Sequence, residues 1–341
     1  MAKRHVLCFD GTWDDPDKRT NVEQFYEAVK TVDEAAGVIG QRAWYHKGVG
    51  TELGSLVLGG AFGVGLSQNM LDGYVSLSRE YRDGDAIFIV GFSRGAYTAR
   101  CLASLISKCG VLLPANADDQ NTVLNAYLYA KMRGADAPRL AGDFCAAYGR
   151  RAPITFVGVW DTVGALGLPG RFFQPLDEAL FGFVDLQLAA AVERAYHALA
   201  VDEHRYDFRP ALWQGRTASQ TMEQRWFAGD HSDVGGGYPR TAARDPALSD
   251  IPLAWMMGKA MQAGLALDAA RIPGNLAACV KPKCDDAYTT FLDGEYAKKN
   301  PPYFRPIGAS TAGNEIVDDS VYDKRAQDPT YRPKNSGLRP L

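Results

Sequence analysis

Short apolar runs alternate with longer amphipathic stretches along most of this chain. The runs are rich in β-branched and aromatic residues, as buried strands are. They lie at residues 5–9, 42–46, 86–90, 154–159 and 223–227. The stretches between them place apolar residues at helical spacing. We expect helices at residues 20–32, 67–81, 96–110, 188–200 and 251–266. Strands that alternate with helices predict an α/β fold, with a mostly parallel, doubly wound sheet flanked by helices.

The length of the chain, 341 residues, suits one large α/β domain. We expect this domain to cover residues 1–300 and to include a helical insertion at about residues 111–150. Beyond residue 300 the sequence is rich in proline, glycine and charge. Residues 301–341 are therefore expected to form a C-terminal tail packed on the surface.

Composition excludes several classes of function. The net charge of −3 gives no electrostatic basis for binding nucleic acid. The six cysteines form no Cys-x-x-Cys pair, so we interpret them as reduced thiols rather than as disulfides or zinc ligands. The longest apolar stretch, residues 53–66, is too short to span a bilayer. Met1 leads almost directly into the first predicted strand without a recognisable signal peptide, and we expect a cytoplasmic protein.

The sequence Gly91-Phe92-Ser93-Arg94-Gly95 directly follows the strand predicted at residues 86–90 and precedes a helix. A bare Gly-x-Ser-x-Gly pattern is weak, because chance produces it in many proteins. Between a strand and a helix, however, it is typical of a nucleophile elbow, a tight turn that presents the serine at the carboxyl edge of the sheet. The pattern therefore predicts Ser93 as a nucleophile.

Polar residues lie within four residues of the ends of four predicted strands, and they are Asp10, Ser93, Asp161 and His231. The carboxyl ends of parallel strands share one edge of a sheet, so these side chains should lie near one another. A serine hydroxyl needs a base to take its proton, and histidine suits that task. A buried carboxylate then orients the histidine. The order Ser…Asp…His along the chain is the order found in α/β-hydrolases.

Other histidines compete with His231 for the role of base. We expect His5, His46, His197 and His204 to be surface or satisfied core residues. Of these, His197 falls inside the helix expected at residues 188–200. His231 differs from them because it follows a strand within a glycine-rich turn, from which its ring can reach across the edge of the sheet.

Asp161 is the expected acid, although a helix N-cap is an alternative role for it. Asp202, Asp230 and Asp233 are the remaining candidates for the acid. Asp230 and Asp233 are close to His231 along the chain, which makes it difficult for either to orient the ring. Asp202 is expected to brace the surface or to pair with Arg205.

An oxyanion hole should use the backbone N–H of Arg94, the residue after the nucleophile. Gly11 or Thr12, after the first strand, is placed to give the second backbone N–H. Asp10 would repel an oxyanion, so we interpret it as an anchor that accepts backbone N–H groups from its loop. The alternative is a divalent metal held by Asp10 and other carboxylates such as Asp233.

Four motifs together resemble one α/β-hydrolase family, the family of uncharacterised-domain proteins that includes the type VI secretion phospholipase effectors. They are Phe9-Asp10-Gly11-Thr12-Trp13, Gly91 to Tyr97, Val159 to Gly164 and His231 to Tyr238. The resemblance runs from about the first strand to about residue 260. It implies an α/β-hydrolase fold, a lipid ester substrate, and Ser93, Asp161 and His231 at the matching catalytic positions. It also implies export by a dedicated secretion system, with a secretion or immunity partner.

We therefore interpret the chain as a carboxylic ester hydrolase that needs no cofactor or metal and acts on lipid-like acyl esters, with transient contact to a membrane surface. Apolar side chains from two loops could line an acyl pocket, although core packing explains them equally well. They are Leu53, Leu56, Phe62, Phe172 and Phe173. Two other functions remain open. The first is an interaction module that keeps the fold without activity, and the second is a metal-dependent phosphoester hydrolase that uses Asp10.

Overall fold

The computed structural model describes residues 2–11, 19–30, 40–48, 59–163, 186–240 and 245–340, with backbone only for residues 59–67. The centre of this part of the chain is a seven-stranded sheet in the order β2-β1-β3-β6-β7-β8-β9, in which every neighbouring pair is parallel. Its strands are β1 (Arg4–Phe9), β2 (Gln41–His46), β3 (Ala86–Phe92), β6 (Phe156–Trp160), β7 (Arg194–Ala200), β8 (Thr221–Phe227) and β9 (Glu315–Val317). Two further strands, β4 (Val111–Leu112) and β5 (Gly149–Arg150), pair antiparallel.

Helices cover both faces of the sheet. In chain order they are α1 (Asn21–Ala28), α2 (Gly59–Glu80), α3 (Ser93–Cys109), α4 (Gln120–Lys131), α5 (Ala137–Tyr148), α6 (His231–Gly235), α7 (Asp250–Gln262), α8 (Leu276–Cys279), α9 (Ala287–Thr290), α10 (Glu295–Lys299) and α11 (Asp319–Gln327). Helices α2 and α3 contribute to one apolar core, and α1 and α7 to the other. The predicted α/β class, with a doubly wound parallel sheet of the α/β-hydrolase type, is confirmed.

The two cores follow from the alternation of side chains along the strands. On β1, Leu7 and Phe9 point into the core with α2 and α3, whereas Val6 and Cys8 point into the core with α1 and α7. All four are buried. A strand buried on both faces carries an unbroken apolar run, which is the signal that predicted β1 and β3 from the sequence.

The prediction of a helix at residues 188–200 is wrong. Residues 194–200 form strand β7, which pairs with β6 on one side and β8 on the other. This central strand is buried on both faces, so its apolar run has no period of two that would separate it from a buried helix. His197 therefore lies in a strand and not in a helix.

Residues 111–150 hold the helices α4 and α5, which agrees with the helical character expected there; that the segment is an insertion stays a prediction. The C-terminal segment is more integrated than the expected surface tail. Strand β9 extends the sheet beside β8, and Val321 and Tyr331 join a core cluster with residues of β7 and β8. Arg305 is completely buried. Within the described parts of the chain, we find no helix that is both long and apolar enough to cross a bilayer.

Candidate active site

Ser93 lies in a sharp turn between β3 and α3. Its φ angle of 57° is in the left-handed region, which a non-glycine residue rarely adopts. The flanking glycines are required by space, because a Cβ on Gly91 would lie 2.4 Å from the carbonyl oxygen of Gly95. A Cβ on Gly95 would lie 2.2 Å from the carbonyl oxygen of Phe9. The turn has the strand–turn–helix geometry of a nucleophile elbow, and Gly95 brings it directly against the end of β1.

His231 connects Ser93 to Asp161. Its Nε2 lies 2.8 Å from Ser93 Oγ, and its Nδ1 lies 2.6 Å from Asp161 Oδ2. All three residues are buried, and Ser93 is only 6 % exposed. The structure thus brings together three of the four residues that follow strands, although they are 70 and 138 positions apart along the chain.

The position of His231 is fixed by the start of helix α6, of which it is the first residue. Asp230 is the N-cap, and its carboxylate accepts from the backbone N–H groups of Ser232 and Asp233. The Asp233 carboxylate accepts in return from the N–H of Asp230, which completes a capping box. The ring of His231 also packs against Phe92, with centroids 4.7 Å apart, and against Phe208 at 5.3 Å.

Asp161 has no exposed surface and a φ angle of 38°, also in the left-handed region. Its Oδ1 accepts from the N–H of Ala200 at 3.1 Å. Arg305 donates from Nη1 to Oδ1 at 2.6 Å and from Nη2 to Oδ2 at 3.0 Å. Burial alone raises the pKa of Asp161. The Arg305 charge and the contacts with His231 lower it by more than burial raises it, so the pKa of Asp161 lies well below its usual value. The carboxylate is therefore ionised at neutral pH.

Arg305 is the site residue that sequence reasoning missed. It lies in the proline- and glycine-rich segment that was expected to be a surface tail, 144 positions from Asp161. An isolated arginine between prolines and aromatic residues belongs to no catalytic motif, so a single sequence carries no signal for it. Its contact with Asp161 exists only because residues 301–340 pack back onto the ends of the strands.

The other candidate acids have different partners. Asp202 Oδ2 accepts from the N–H of Gly229 at 2.7 Å and from the hydroxyl of Tyr331 at 2.8 Å. The expected pairing of Asp202 with Arg205 is wrong, because Arg205 pairs with the buried Glu203 at 2.6 Å. Asp202 also follows strand β7 rather than a helix.

His197 is a buried residue with hydrogen bonds, as expected for a satisfied core histidine. Its Nε2 accepts from the N–H of Thr162, the residue after Asp161, at 3.0 Å. Burial, assisted by the charge of Arg100, lowers the pKa of His197 to about 3, so its ring is neutral. His5 is also buried and contacts Asp85 at 2.8 Å.

Asp10 accepts three hydrogen bonds at the end of β1. Gly11 N–H donates to its Oδ1 at 2.7 Å, and the hydroxyls of Thr20 and Tyr45 donate to its Oδ2 at 2.6 and 2.5 Å. These contacts agree with a carboxylate that anchors its loop. They also mean that the Gly11 N–H, one of the expected oxyanion donors, points to Asp10 in this structure.

Several predicted site residues lie outside the described residues. These are Thr12, Leu53, Leu56, Phe172 and Phe173, and for Phe62 only the backbone is described. Among the residues whose placement is described, no group of three or more histidine, cysteine, aspartate or glutamate side chains is arranged to hold a metal ion.

A parallel doubly wound sheet, an elbow serine after a central strand, and a histidine between that serine and a buried carboxylate are the arrangement typical of α/β-hydrolases. Residues 3–259, well over half of the chain, match the family described as the type VI secretion system phospholipase effector Tle1-like catalytic domain. The chain belongs to this family, and the resemblance inferred from its motifs is confirmed.

Three distant and longer proteins align with much of this chain. The uncharacterized protein YEL023C of Saccharomyces cerevisiae is 24 % identical over 344 residues, which cover 93 % of this chain and 48 % of the yeast protein. The chain thus spans about half the length of the curated relative that it matches. The crystal structure of an uncharacterized protein from Pseudomonas aeruginosa aligns with a TM-score of 0.49 and 18 % identity, over 82 % of this chain and 50 % of that one. The Tle1 effector bound to the VgrG spike aligns with a TM-score of 0.43 and 18 % identity, over 70 % and 51 %.

Proposed function

We propose that this chain is a serine hydrolase that cleaves carboxylic esters, with lipid or phospholipid acyl esters as its substrate class. The observation that carries the proposal is the hydrogen-bonded path from Ser93 Oγ through His231 to Asp161 Oδ2, with distances of 2.8 and 2.6 Å. Membership of a phospholipase effector family supports the lipid class of substrate.

In the proposed mechanism, Ser93 Oγ attacks the ester carbonyl carbon while His231 Nε2 takes its proton. Asp161 accepts the hydrogen bond from Nδ1–H and stabilises the imidazolium. Collapse of the tetrahedral intermediate breaks the bond to the alcohol oxygen, which leaves with the proton from His231. Water then attacks the acyl-serine with His231 again as base, and this step releases the carboxylic acid and restores Ser93.

For the oxyanion we propose the backbone N–H of Arg94 as one donor. Arg94 is the second residue of α3, and the first turn of a helix directs its N–H groups away from the helix's own carbonyls. Gly11 and Thr12 stay proposals for the second donor, and Gly11 would have to exchange its bond to Asp10 for one to the oxyanion. The acyl pocket formed by Leu53, Leu56, Phe62, Phe172 and Phe173 likewise stays a proposal.

Delivery forms the second part of the proposal. The family description, a type VI secretion system phospholipase effector, favours export by such a system. We further propose a secretion or immunity partner and transient contact to a lipid surface. The expected result is that a strain with an active type VI system releases the chain into the medium and that its secretion-null mutant does not. Equal amounts in both media would contradict this part alone and leave the hydrolase proposal standing.

The decisive experiment joins labelling with turnover. A fluorophosphonate probe is expected to label the wild-type chain at Ser93 and to leave Ser93→Ala unlabelled. A panel of esters of increasing acyl length, including phospholipids, is expected to be hydrolysed by the wild type and not by Ser93→Ala, with thermal melting as the control for folding. Excess chelator should leave turnover unchanged, because the three side chains are sufficient without a metal. A folded Ser93→Ala variant with near wild-type turnover would refute the proposal.

A further inference from the structure

Arg305 holds both carboxylate oxygens of Asp161, one with each terminal nitrogen, at 2.6 and 3.0 Å. One of these oxygens, Oδ2, is also the atom that contacts His231 Nδ1. We propose that Arg305 is a positioning residue, which fixes the rotation of the Asp161 carboxylate so that Oδ2 faces His231. The inference rests on the proposed function, in which Asp161 is the acid of the hydrolase.

Arg305 can hold this position because its guanidinium is itself fixed. Nη1 also donates to the carbonyl of Ala200 at 2.9 Å, and Nη2 donates to the carbonyl of Phe208. The backbone carbonyl of Arg305 accepts from Asn335 Nδ2 at 3.0 Å, and the same amide donates to Val201 at 2.9 Å. The C-terminal segment is thus attached to the end of β7 at two points. A rigid fork of this kind loses little entropy when it binds a carboxylate.

A lysine cannot replace the fork, because an ammonium is a point charge that leaves the carboxylate free to rotate. The charge and the geometry of Arg305 therefore have separable effects. The charge keeps the buried carboxylate ionised, because it lowers the pKa of Asp161. The two parallel hydrogen bonds align Oδ2 with Nδ1.

Few other titratable groups face Asp161 and His231 from the surrounding described elements. His197 on β7 is neutral, and Glu203 is paired with Arg205. Asp230 caps the helix that begins with His231. Among the described residues, Arg305 is thus the cation in direct contact with Asp161.

Arg305 lies beyond residue 259, where the match to the family ends. If the proposal holds, the last forty or so residues contribute to the catalytic site. For this reason the test uses point variants of the full chain rather than a truncated one.

The experiment measures steady-state kinetics on a soluble short-chain ester as a function of pH. Arg305→Met should lower kcat by roughly 10²-fold with little change in KM, as expected when a catalytic group is misplaced rather than removed. The acidic limb of its pH profile of kcat/KM should also move to higher pH, because loss of the cation raises the pKa of Asp161. Arg305→Lys keeps the charge and loses the fork, so it should lower kcat by roughly 10-fold and leave the limb in place.

Lys324 gives a matched control, because it is a buried cation of the same segment that donates to the carbonyls of Val280 and Pro282. Lys324→Met should lower the melting temperature and leave both kcat and the acidic limb unchanged. A limb that moves equally in Lys324→Met and Arg305→Met would overturn the proposal, since it would reflect loosened packing alone. If Arg305→Met does not fold, the kcat of Arg305→Lys tests the proposal instead. A wild-type kcat in Arg305→Lys would then overturn it.

A double-mutant cycle separates this proposal from the proposed function. If Arg305 acts through Asp161, then Arg305→Met should have little effect once Asp161→Asn is present. The double variant should have a kcat within about two-fold of that of Asp161→Asn alone. A full additional 10²-fold loss in the double variant would overturn the positioning role while leaving Asp161 as the acid. High activity in folded Asp161→Asn alone would instead show that Asp161 is not the acid of the proposed function, which removes the premise of the positioning role but leaves Ser93 and His231 in their proposed roles.

Discussion

The backbone N–H of Thr162 donates to Nε2 of His197 at 3.0 Å, from one strand end to the adjacent strand. Because Nε2 is the acceptor, the proton of this neutral ring is on Nδ1, which faces Gln224 Oε1 at 3.4 Å. Thr162 follows Asp161, whose left-handed backbone carries the carboxylate. His197 therefore holds the backbone next to Asp161, as Arg305 holds the Asp161 side chain.

His197→Leu should destabilise the fold and reduce turnover together. The substitution leaves the buried N–H of Thr162 without an acceptor, which costs about 1–3 kcal/mol of unfolding free energy. It also releases the backbone that presents Asp161. The measurement is urea unfolding beside ester turnover. His197→Gln, whose amide oxygen can accept the same N–H, is the control and should retain most of both; an active and fully stable Leu variant would contradict this role.

His197 should also make stability depend on pH. Its folded pKa of about 3 lies below the value of about 6.5 in an unfolded chain, so between these values the unfolded state binds more protons. The stability from this group is complete above pH 6.5 and is lost as the pH falls, by up to about 1.4 kcal/mol per unit. Between pH 7 and pH 5, His197→Gln should lose less unfolding free energy than the wild type. Equal losses would show that His197 is not the titrating group.

Gly95→Ala should prevent the elbow from packing. The added Cβ would lie 2.2 and 2.4 Å from the backbone carbonyl oxygens of Phe9 and Asp10, which cannot move without shifting β1. Overpacking of this kind should cost about 3 kcal/mol or more and abolish turnover. Gly258→Ala on α7 is the matched control, because a Cβ there meets nothing within 4 Å. It should be neutral or stabilise the chain by up to about 1 kcal/mol. Thermal melting distinguishes the two, and equal melting temperatures would contradict the prediction.

Asp233→Asn should stabilise the chain at alkaline pH. Burial, together with the charge of Asp230, raises the pKa of Asp233 to about 9, so the folded state holds a proton that the unfolded state loses near pH 4. The stability from this proton is complete below pH 4 and is lost as the pH rises towards 9. An asparagine oxygen can still accept the N–H groups of Asp230 and Asp285, without titrating. The variant should unfold at higher urea concentration than the wild type at pH 8 and not at pH 4. The opposite order would contradict a protonated Asp233 in the folded chain.

Local signals were sufficient to predict the elbow and the residues that follow the strands. A glycine-flanked serine after an apolar run has one common structural explanation, and parallel strands bring their carboxyl ends to one edge. The same signals failed at residues 194–200, because a strand buried on both faces has no distinguishing period. They also failed at Arg305, since its role depends on how the last residues of the chain return to the strand ends. A single sequence does not show how the last residues of the chain pack against the strand ends.

Asp161→Asn should lower turnover by roughly 10⁴-fold with the fold retained. Asparagine keeps the shape of the side chain but cannot stabilise the imidazolium of His231, and its amide group can hold the ring in the wrong tautomer. Loss of the charge beside Arg305 also leaves a buried guanidinium without its counter-ion, so we expect some loss of melting temperature in addition to the loss of turnover.

Asp202→Asn and Asp233→Asn are the matched controls for this loss, because both remove a buried or half-buried carboxylate from the same edge of the sheet. Their carboxylates accept from Gly229, Tyr331, Asp230 and Asp285, and an amide oxygen can take over these roles. Both variants should therefore lower turnover only weakly, or lower it chiefly because the fold is less stable. The measurement is turnover on a soluble short-chain ester, with melting curves alongside. If Asp161→Asn stays active while a folded Asp202→Asn or Asp233→Asn is inactive, the acid is misassigned, although Ser93 and His231 would keep their proposed roles.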